Sequence, residues 1–143
     1  MANLYETDVL AWSEHQVELL RRQFAGGSAN EAPDWGNIIE ELEGVGRSEF
    51  NAVWSLLVQA LMHDLKCQAW PSAAYVPHWQ AKARALRADA VHRFTPSMRQ
   101  RLNPAAIHRQ AVLGLPMTID EFPGLSVPNE CRLTVNELLE GEG

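Results

Sequence analysis

The stretch from Asp34 to Lys66, DWGNIIEELEGVGRSEFNAVWSLLVQALMHDLK, decides how this chain folds. Trp35, Ile38, Ile39, Leu42 and Val45 recur at the spacing of one helix face. Acidic residues near the start of this segment suit the positive end of a helix dipole. Gly44 and Gly46 follow, and each glycine weakens a helix interior by about 1 kcal/mol relative to alanine. Ser48 can cap a new helix with its hydroxyl. The local reading is therefore a helix that ends at a Gly-Arg-Ser hinge, Gly46 to Ser48, with a kink or short break at Gly46. A further helix is then expected over residues 48–68. Phe50, Val53, Trp54, Leu56, Leu57, Val58, Ala60, Leu61, Leu65 and Cys67 fill more than half of its circumference. Its polar remainder is a narrow stripe of Asn51, Ser55, Gln59, His63 and Lys66. A helix this apolar packs on several sides, so it is expected at the centre of the fold. Pro71 ends it, because the proline ring cannot continue the hydrogen-bond ladder.

Upstream, Thr7 is a candidate N-cap for a helix from Asp8 to about Phe24. Trp12, Leu19, Leu20 and Phe24 mark its buried side, and Gly26-Gly27 ends it. A loop over residues 26–33 follows. Downstream, Pro77 suits the first turn of a helix that runs to about Phe94. Val76, Trp79, Ala83, Leu86, Ala90 and Phe94 form its apolar face, and the opposite face is basic. Thr95-Pro96 and Asn103-Pro104 each read as a cap followed by proline. They predict a short helix at 96–102 and another at 104–113, closed by Gly114. Residues 115–133 contain Pro116, Pro123 and Pro128 and are expected to be largely irregular. Thr134 and Glu137 have the spacing of a capping box, so a last short helix should cover Val135 to Glu140. No segment alternates polar and apolar residues over a strand's length. The fold class read from the sequence is all-α: a single-domain bundle, residues 1–143, of five to seven helices around the one at 48–68.

Composition narrows the function classes. A chain of 143 residues buries enough surface to fold without disulfide or metal staples. The net charge of -6 disfavours nonspecific nucleic-acid binding, which needs a basic face. Lys82, Arg84, Arg87, Arg93, Arg99, Arg101 and Arg109 nevertheless gather at 82–109, while acidic residues dominate 31–49 and 120–143. Pairing within the fold or between subunits accounts for that asymmetry better than a nucleic-acid strip does. Cys67 and Cys131 form no zinc-type or redox spacing, which fits a reduced intracellular protein. The N-terminus, MANLYETD, has no apolar core, so no signal peptide is expected. The apolar run at 53–65 is broken by Ser55, Gln59, His63 and Asp64, so no membrane span is expected either. A cytoplasmic location follows as an expectation.

The order of short motifs carries a resemblance. Leu4-Tyr5, Asp8 and Trp12 are followed by Asp34-Trp35, Glu40-Glu41-Leu42-Glu43, Gly46-Arg47-Ser48, Leu61-Met62-His63, Leu65-Lys66 and Trp79. Phe122-Pro123 and the segment from Pro128 to Leu139 complete the series. Together they resemble the uncharacterised bacterial family known as domain of unknown function 29. Asp64 and Cys67 depart from the family pattern, in which the residue after the histidine is usually apolar and the one after the lysine aromatic. The resemblance implies a compact helical domain and supplies no catalytic residues.

The polar groups admit sharper and plainer readings. Of the cluster Glu40, Glu41 and Glu43, Glu40 or Glu41 could approach Asn51, Ser55 or Arg47 if the chain folds back after Gly46. A metal site would need Glu-x-x-His pairs on facing helices, and none occurs. Solvated carboxylates, or ion pairs with Arg47, are the plainer reading. His63 has the pKa range of a general base; the plainer reading is a ring hydrogen-bonded to a neighbouring carbonyl. Lys66 is expected to pair with a carboxylate of the closing segment. Asp64 lies within an apolar arc, where an unpaired carboxylate is costly. An ion pair with Arg84, Arg87 or Arg109 is expected for it. Of the five tryptophans, Trp70 falls on the polar side of its helix. With Tyr75 and Trp79 it is a candidate exposed aromatic patch, set against core packing as the plainer reading. His15, His78, His92 and His108 form no ligand pair and receive no role. No cofactor and no metal is predicted. The functional reading is a non-enzymatic protein-interaction module with a protein partner or a second copy of itself. The alternatives are a metal-binding protein or hydrolase-like enzyme using His63 with Asp64 or the 40–43 glutamates, and nucleic-acid binding through the 82–109 strip.

Overall fold

The computed structural model describes residues 3–25 and 33–141. The expected glycine stop at 26–27 and the loop at 26–32 lie outside the described residues, as does the side chain of Phe24. Among the described residues there are six α-helices: α1 (Leu4–Thr7), α2 (Val9–Ala25), α3 (Trp35–Ala69), α4 (Val76–Arg93), α5 (Pro104–Leu113) and α6 (Val135–Glu140). A 3-10 turn covers Pro96–Met98, and two short strands, β1 (Thr118–Ile119) and β2 (Phe122–Pro123), form a hairpin. The expected all-α class holds. None of the helices is long and apolar enough to cross a membrane. The chain divides into two compact units, one of Met1–Asn51 with Thr95–Arg99 and one of Ala52–Phe94 with Gln100–Gly143.

In the first unit, the helix start moves by one residue from the sequence reading. Asp8, not Thr7, caps α2: its carboxylate accepts from the Ala11 amide at 3.0 Å. Thr7 instead turns its hydroxyl back to the Asn3 and Leu4 carbonyls within α1. The same Asp8 carboxylate accepts from the Ser97 amide at 2.8 Å and the Ser97 hydroxyl at 2.7 Å. One side chain thereby caps a helix and ties the 3-10 turn to it.

The larger correction concerns Gly46. The expected break is absent, because α3 runs unbroken for 35 residues through Gly44, Gly46 and Ser48. The reason is a close approach. A Cβ on Gly46 would lie 2.6 Å from Ser13 Oγ and 2.7 Å from Leu10 Cδ1. The glycine lets α2 seat Leu10 and Ser13 directly on the α3 backbone, and both side chains are buried. Tertiary packing outweighs a local propensity of about 1 kcal/mol.

In the second unit, α3 buries Val53, Leu57, Ala60, Leu61, Leu65 and Ala69, a stripe at three- and four-residue spacing. α4 begins with Pro77 in its first turn, as expected, and buries Trp79, Ala83, Arg87 and Ala90. Arg87 therefore leaves the expected basic face and joins the buried line. α5 is capped by Asn103, which accepts from the Ala106 amide at 3.2 Å. The helix expected at 96–102 shortens to the 3-10 turn, and Thr95 gives it no side-chain cap. Thr134 and Glu137 form the expected reciprocal capping box of α6, whose Leu138 and Leu139 are buried.

The segment expected to be irregular contains the hairpin, with Thr118 opposite Pro123 and Ile119 opposite Phe122. Its two turn residues, Asp120 (φ 50) and Glu121 (φ 70), both occupy the left-handed region that a two-residue hairpin loop requires.

Candidate functional site

Asp64 and Arg87 form the ion pair that burial demanded. Arg87 Nη2 donates to Asp64 Oδ2 at 2.6 Å, and Arg87 Nε donates to the Leu138 carbonyl at 2.8 Å. The guanidinium thus joins α3, α4 and α6. Its side chain is 8% exposed against 25% for Asp64, so the cation is the deeper partner. Of the three candidate arginines, packing selected the one on the buried line of α4.

The acidic cluster belongs to a different unit from this pair. Glu40, Glu41, Glu43 and Arg47 belong to the first unit, His63 and Asp64 to the second. With no fold-back at Gly46, the expected approach of the glutamates to Asn51 does not form, since an unbroken helix cannot pack antiparallel to itself. Glu43 instead pairs with Arg21 of α2 and, more loosely at 3.8 Å, with Arg47. Glu40 and Glu41 are exposed. Among the described residues, no three histidine, cysteine or acidic side chains group as a metal site would require.

His63 is half-buried, and its Nδ1 is sealed from solvent without a hydrogen-bond partner. The expected bond to a neighbouring carbonyl is not made at that atom. Burial pushes the ring's pKa down; the nearby positive charges of Lys66, His78 and Lys82 add to this, and Asp64 opposes it. The ring is neutral near pH 7, with its Nδ1 buried. Lys66 meets no carboxylate among the described residues; its Nζ lies 5.9 Å from the centre of the Trp79 ring, a cation–π contact.

The expected aromatic patch is rearranged. Trp70 and Trp79 are each only 7% exposed and form a core cluster with Ala69. Tyr75 alone of the three is exposed, with its ring 5.8 Å from that of Trp79. The cover over Trp70 comes from the hairpin segment. Trp70 Nε1 donates to the Phe122 carbonyl at 2.9 Å, and the Leu125 amide donates to the Ala69 carbonyl at 2.9 Å. A Cβ on Gly124 would lie 2.8 Å from the Trp70 ring, so only glycine permits this fit.

Residues 113–125 turn several large apolar side chains outward. Met117 is 90% exposed, Leu113 85%, Phe122 70% and Leu125 63%. Phe122 and Leu125 also edge a cleft of about 470 Å³ whose walls include Trp70, Pro71 and Ile119. The sequence reading missed this surface, because a proline-rich segment has no periodicity that marks a buried or exposed face. It also gave no role to His108, which is buried on α5. Burial holds its pKa below the usual histidine value.

Two comparisons place the chain. A crystal structure of an α-helical protein of unknown function from Rhodospirillum rubrum is similar, with a TM-score of 0.83 at 24% identity over 99% of this chain and 92% of that one. At that identity the likeness speaks for the fold. No curated protein matches. The family profile for "Domain of unknown function DUF29" matches residues 4–142. The chain therefore belongs to the domain of unknown function DUF29 family.

Proposed function

We propose that this protein is a non-enzymatic interaction module that pairs with a second copy of itself through the surface formed by residues 113–125. The observation that carries the reading is the outward display of Leu113, Met117, Phe122 and Leu125. A protein that works alone rarely exposes several large apolar side chains within so short a segment. Full burial of the four would contribute on the order of 6–12 kcal/mol. Association itself costs about 4–15 kcal/mol, so the pairing is concentration-dependent rather than permanent.

Two further features support the reading. The hairpin tip holds two non-glycine residues at positive φ, Asp120 and Glu121. Strain of this kind concentrates at surfaces that bind. The tip is also acidic, while Arg84, Arg93 and Arg109 of the same unit are exposed. Apolar contact with a rim of opposite charges suits recognition between copies. The buried, already paired Arg87 is lost from the basic strip, which weakens the case for nucleic acid. Sedimentation velocity over a wide concentration range tests the proposal. The expected result is a dimer that dissociates on dilution and is lost in Phe122→Ser with Met117→Ser. A monomer at every concentration overturns it.

A further inference from the structure

A second cleft of the same unit, of about 570 Å³, is walled by Leu61, Asp64, Leu65 and Gln68 of α3, by His108 of α5 and by residues 128–133. Its volume falls within the range of small-molecule sites. Its polar groups are unspent. Asp64 gives Oδ2 to Arg87, and Oδ1 takes no hydrogen bond among the described residues. His108 is 4% exposed, yet its ring has no hydrogen-bond partner among the described residues. With no protein partner, the ring keeps hydrogen-bonding capacity that water or a ligand in the cleft can meet.

The chemistry of these groups selects a ligand class. Burial lowers the His108 pKa, so near pH 7 its neutral imidazole offers one donor and one acceptor. Asp64 Oδ1 is an acceptor, and the carboxylate cannot swing away because Arg87 holds its other oxygen. Gln68 supplies both donor and acceptor capacity at an exposed position. Asp64 is neutralised by Arg87, and Glu130 is balanced by Arg132, so the wall carries no net charge and favours a neutral ligand over an ion. Leucines form the apolar part of the wall. A flat, neutral ring with an N–H edge matches this set. We propose that the cleft between α3, α5 and residues 128–133 binds a neutral nitrogen heterocycle of the aminopurine type. Its amino edge is held by Asp64 and His108, and its ring lies against Leu61, Leu65 and Leu133.

The test uses the full chain and the fluorescent base 2-aminopurine as probe. A saturable change in its emission is expected, reversed by unlabelled adenine. Purine, which lacks the exocyclic amine, is expected to compete about tenfold less well, because it leaves the Asp64 oxygen unmatched. Asp64→Asn and His108→Gln each weaken binding. Leu133→Trp, which fills the cleft without touching the ion pair, abolishes binding while the helical circular dichroism stays intact. This last variant keeps the test decisive should Asp64→Asn fail to fold. No saturable response up to about 1 mM probe, or a response unchanged in Leu133→Trp, overturns the proposal.

Discussion

Arg87 donates to Asp64 across 2.6 Å, and of the two it is the arginine that is more deeply buried. Removal of either partner therefore has unequal consequences. Arg87→Met leaves a carboxylate in the wall of the unit without its cation and also frees the Leu138 carbonyl. Breaking a fully buried pair costs about 3–5 kcal/mol, and the partial exposure of Asp64 places this variant near the lower end. Asp64→Asn keeps an acceptor for Arg87 but leaves the guanidinium charge uncompensated. The double variant Asp64→Leu with Arg87→Met should recover much of the loss, since neither charge then needs desolvation. Urea unfolding of the three variants checks this; equal losses in all three would contradict it.

Gly44 and Gly46 lie two residues apart on α3, about 200° around the helix, and have opposite predicted responses to a methyl group. At Gly46 a Cβ meets Ser13 Oγ at 2.6 Å and Leu10 Cδ1 at 2.7 Å, so α2 must move. Overpacking of this kind costs about 1–3 kcal/mol, which exceeds the gain of about 1 kcal/mol from helix propensity. At Gly44 the nearest atom is the end of the Arg47 side chain at 3.8 Å, an ordinary contact. Gly44→Ala should stabilise by up to about 1 kcal/mol. Thermal melts of the two variants should shift in opposite directions.

That contrast shows why the sequence reading went wrong at Gly46. Thr134 and Glu137 are three residues apart and satisfy each other, so the α6 start was legible from local chemistry alone. The partner of Asp64 was legible as a class, because a carboxylate in an apolar arc demands a cation. Which of three arginines answers depends on the packing of α4. Gly46 reads as a breaker until Leu10 and Ser13, more than thirty residues earlier, are laid against it. Trp70 reads as polar-facing until the Phe122 carbonyl, 52 residues later, accepts its indole N–H. Local signals set the elements, whereas contacts distant in sequence set which of their faces is covered.

Asp8 gives the first unit a specific acid sensitivity. Burial alone would raise its pKa, but hydrogen bonds from the Ala11 amide, the Ser97 hydroxyl and amide, and Thr95 outweigh burial and hold it below 3.8. A folded-state value below the unfolded one means the carboxylate's contribution is complete above about pH 4 and is lost as pH falls through the folded value. Asp8→Asn should therefore be less stable than the parent at pH 6, with the gap closing below pH 4. Denaturant titrations of both proteins across that range measure it. A gap independent of pH would show that the carboxylate charge is not what ties Ser97 to α2.

The histidines act in the neighbouring pH window. His63 and His108 both have folded pKa values below 6.5, chiefly through burial. The unfolded chain then binds more protons than the folded one as pH falls through 6.5, so stability declines from pH 7 toward pH 5. His63→Gln and His108→Gln should each flatten that decline, and the double variant should flatten it further. Chemical-shift titration of the ring protons identifies which histidine moves, and a value at or above 6.5 for either ring would remove it from this account.

The hairpin tip offers the sharpest separation of stability from association. Glu121 sits at φ 70, a conformation that costs a side-chain-bearing residue roughly 1 kcal/mol and glycine almost nothing. Glu121→Gly should therefore tighten the β1–β2 pairing, and slower amide exchange at Ile119 would report it. The same change removes one carboxylate from the rim of the exposed surface that holds Phe122 and Met117. If self-association uses that rim, Glu121→Gly weakens the dimer at low salt while the fold becomes more stable. At high salt, where screening already silences the rim charges, parent and variant should associate alike. A variant that loses both stability and association would instead show that Glu121 holds the turn.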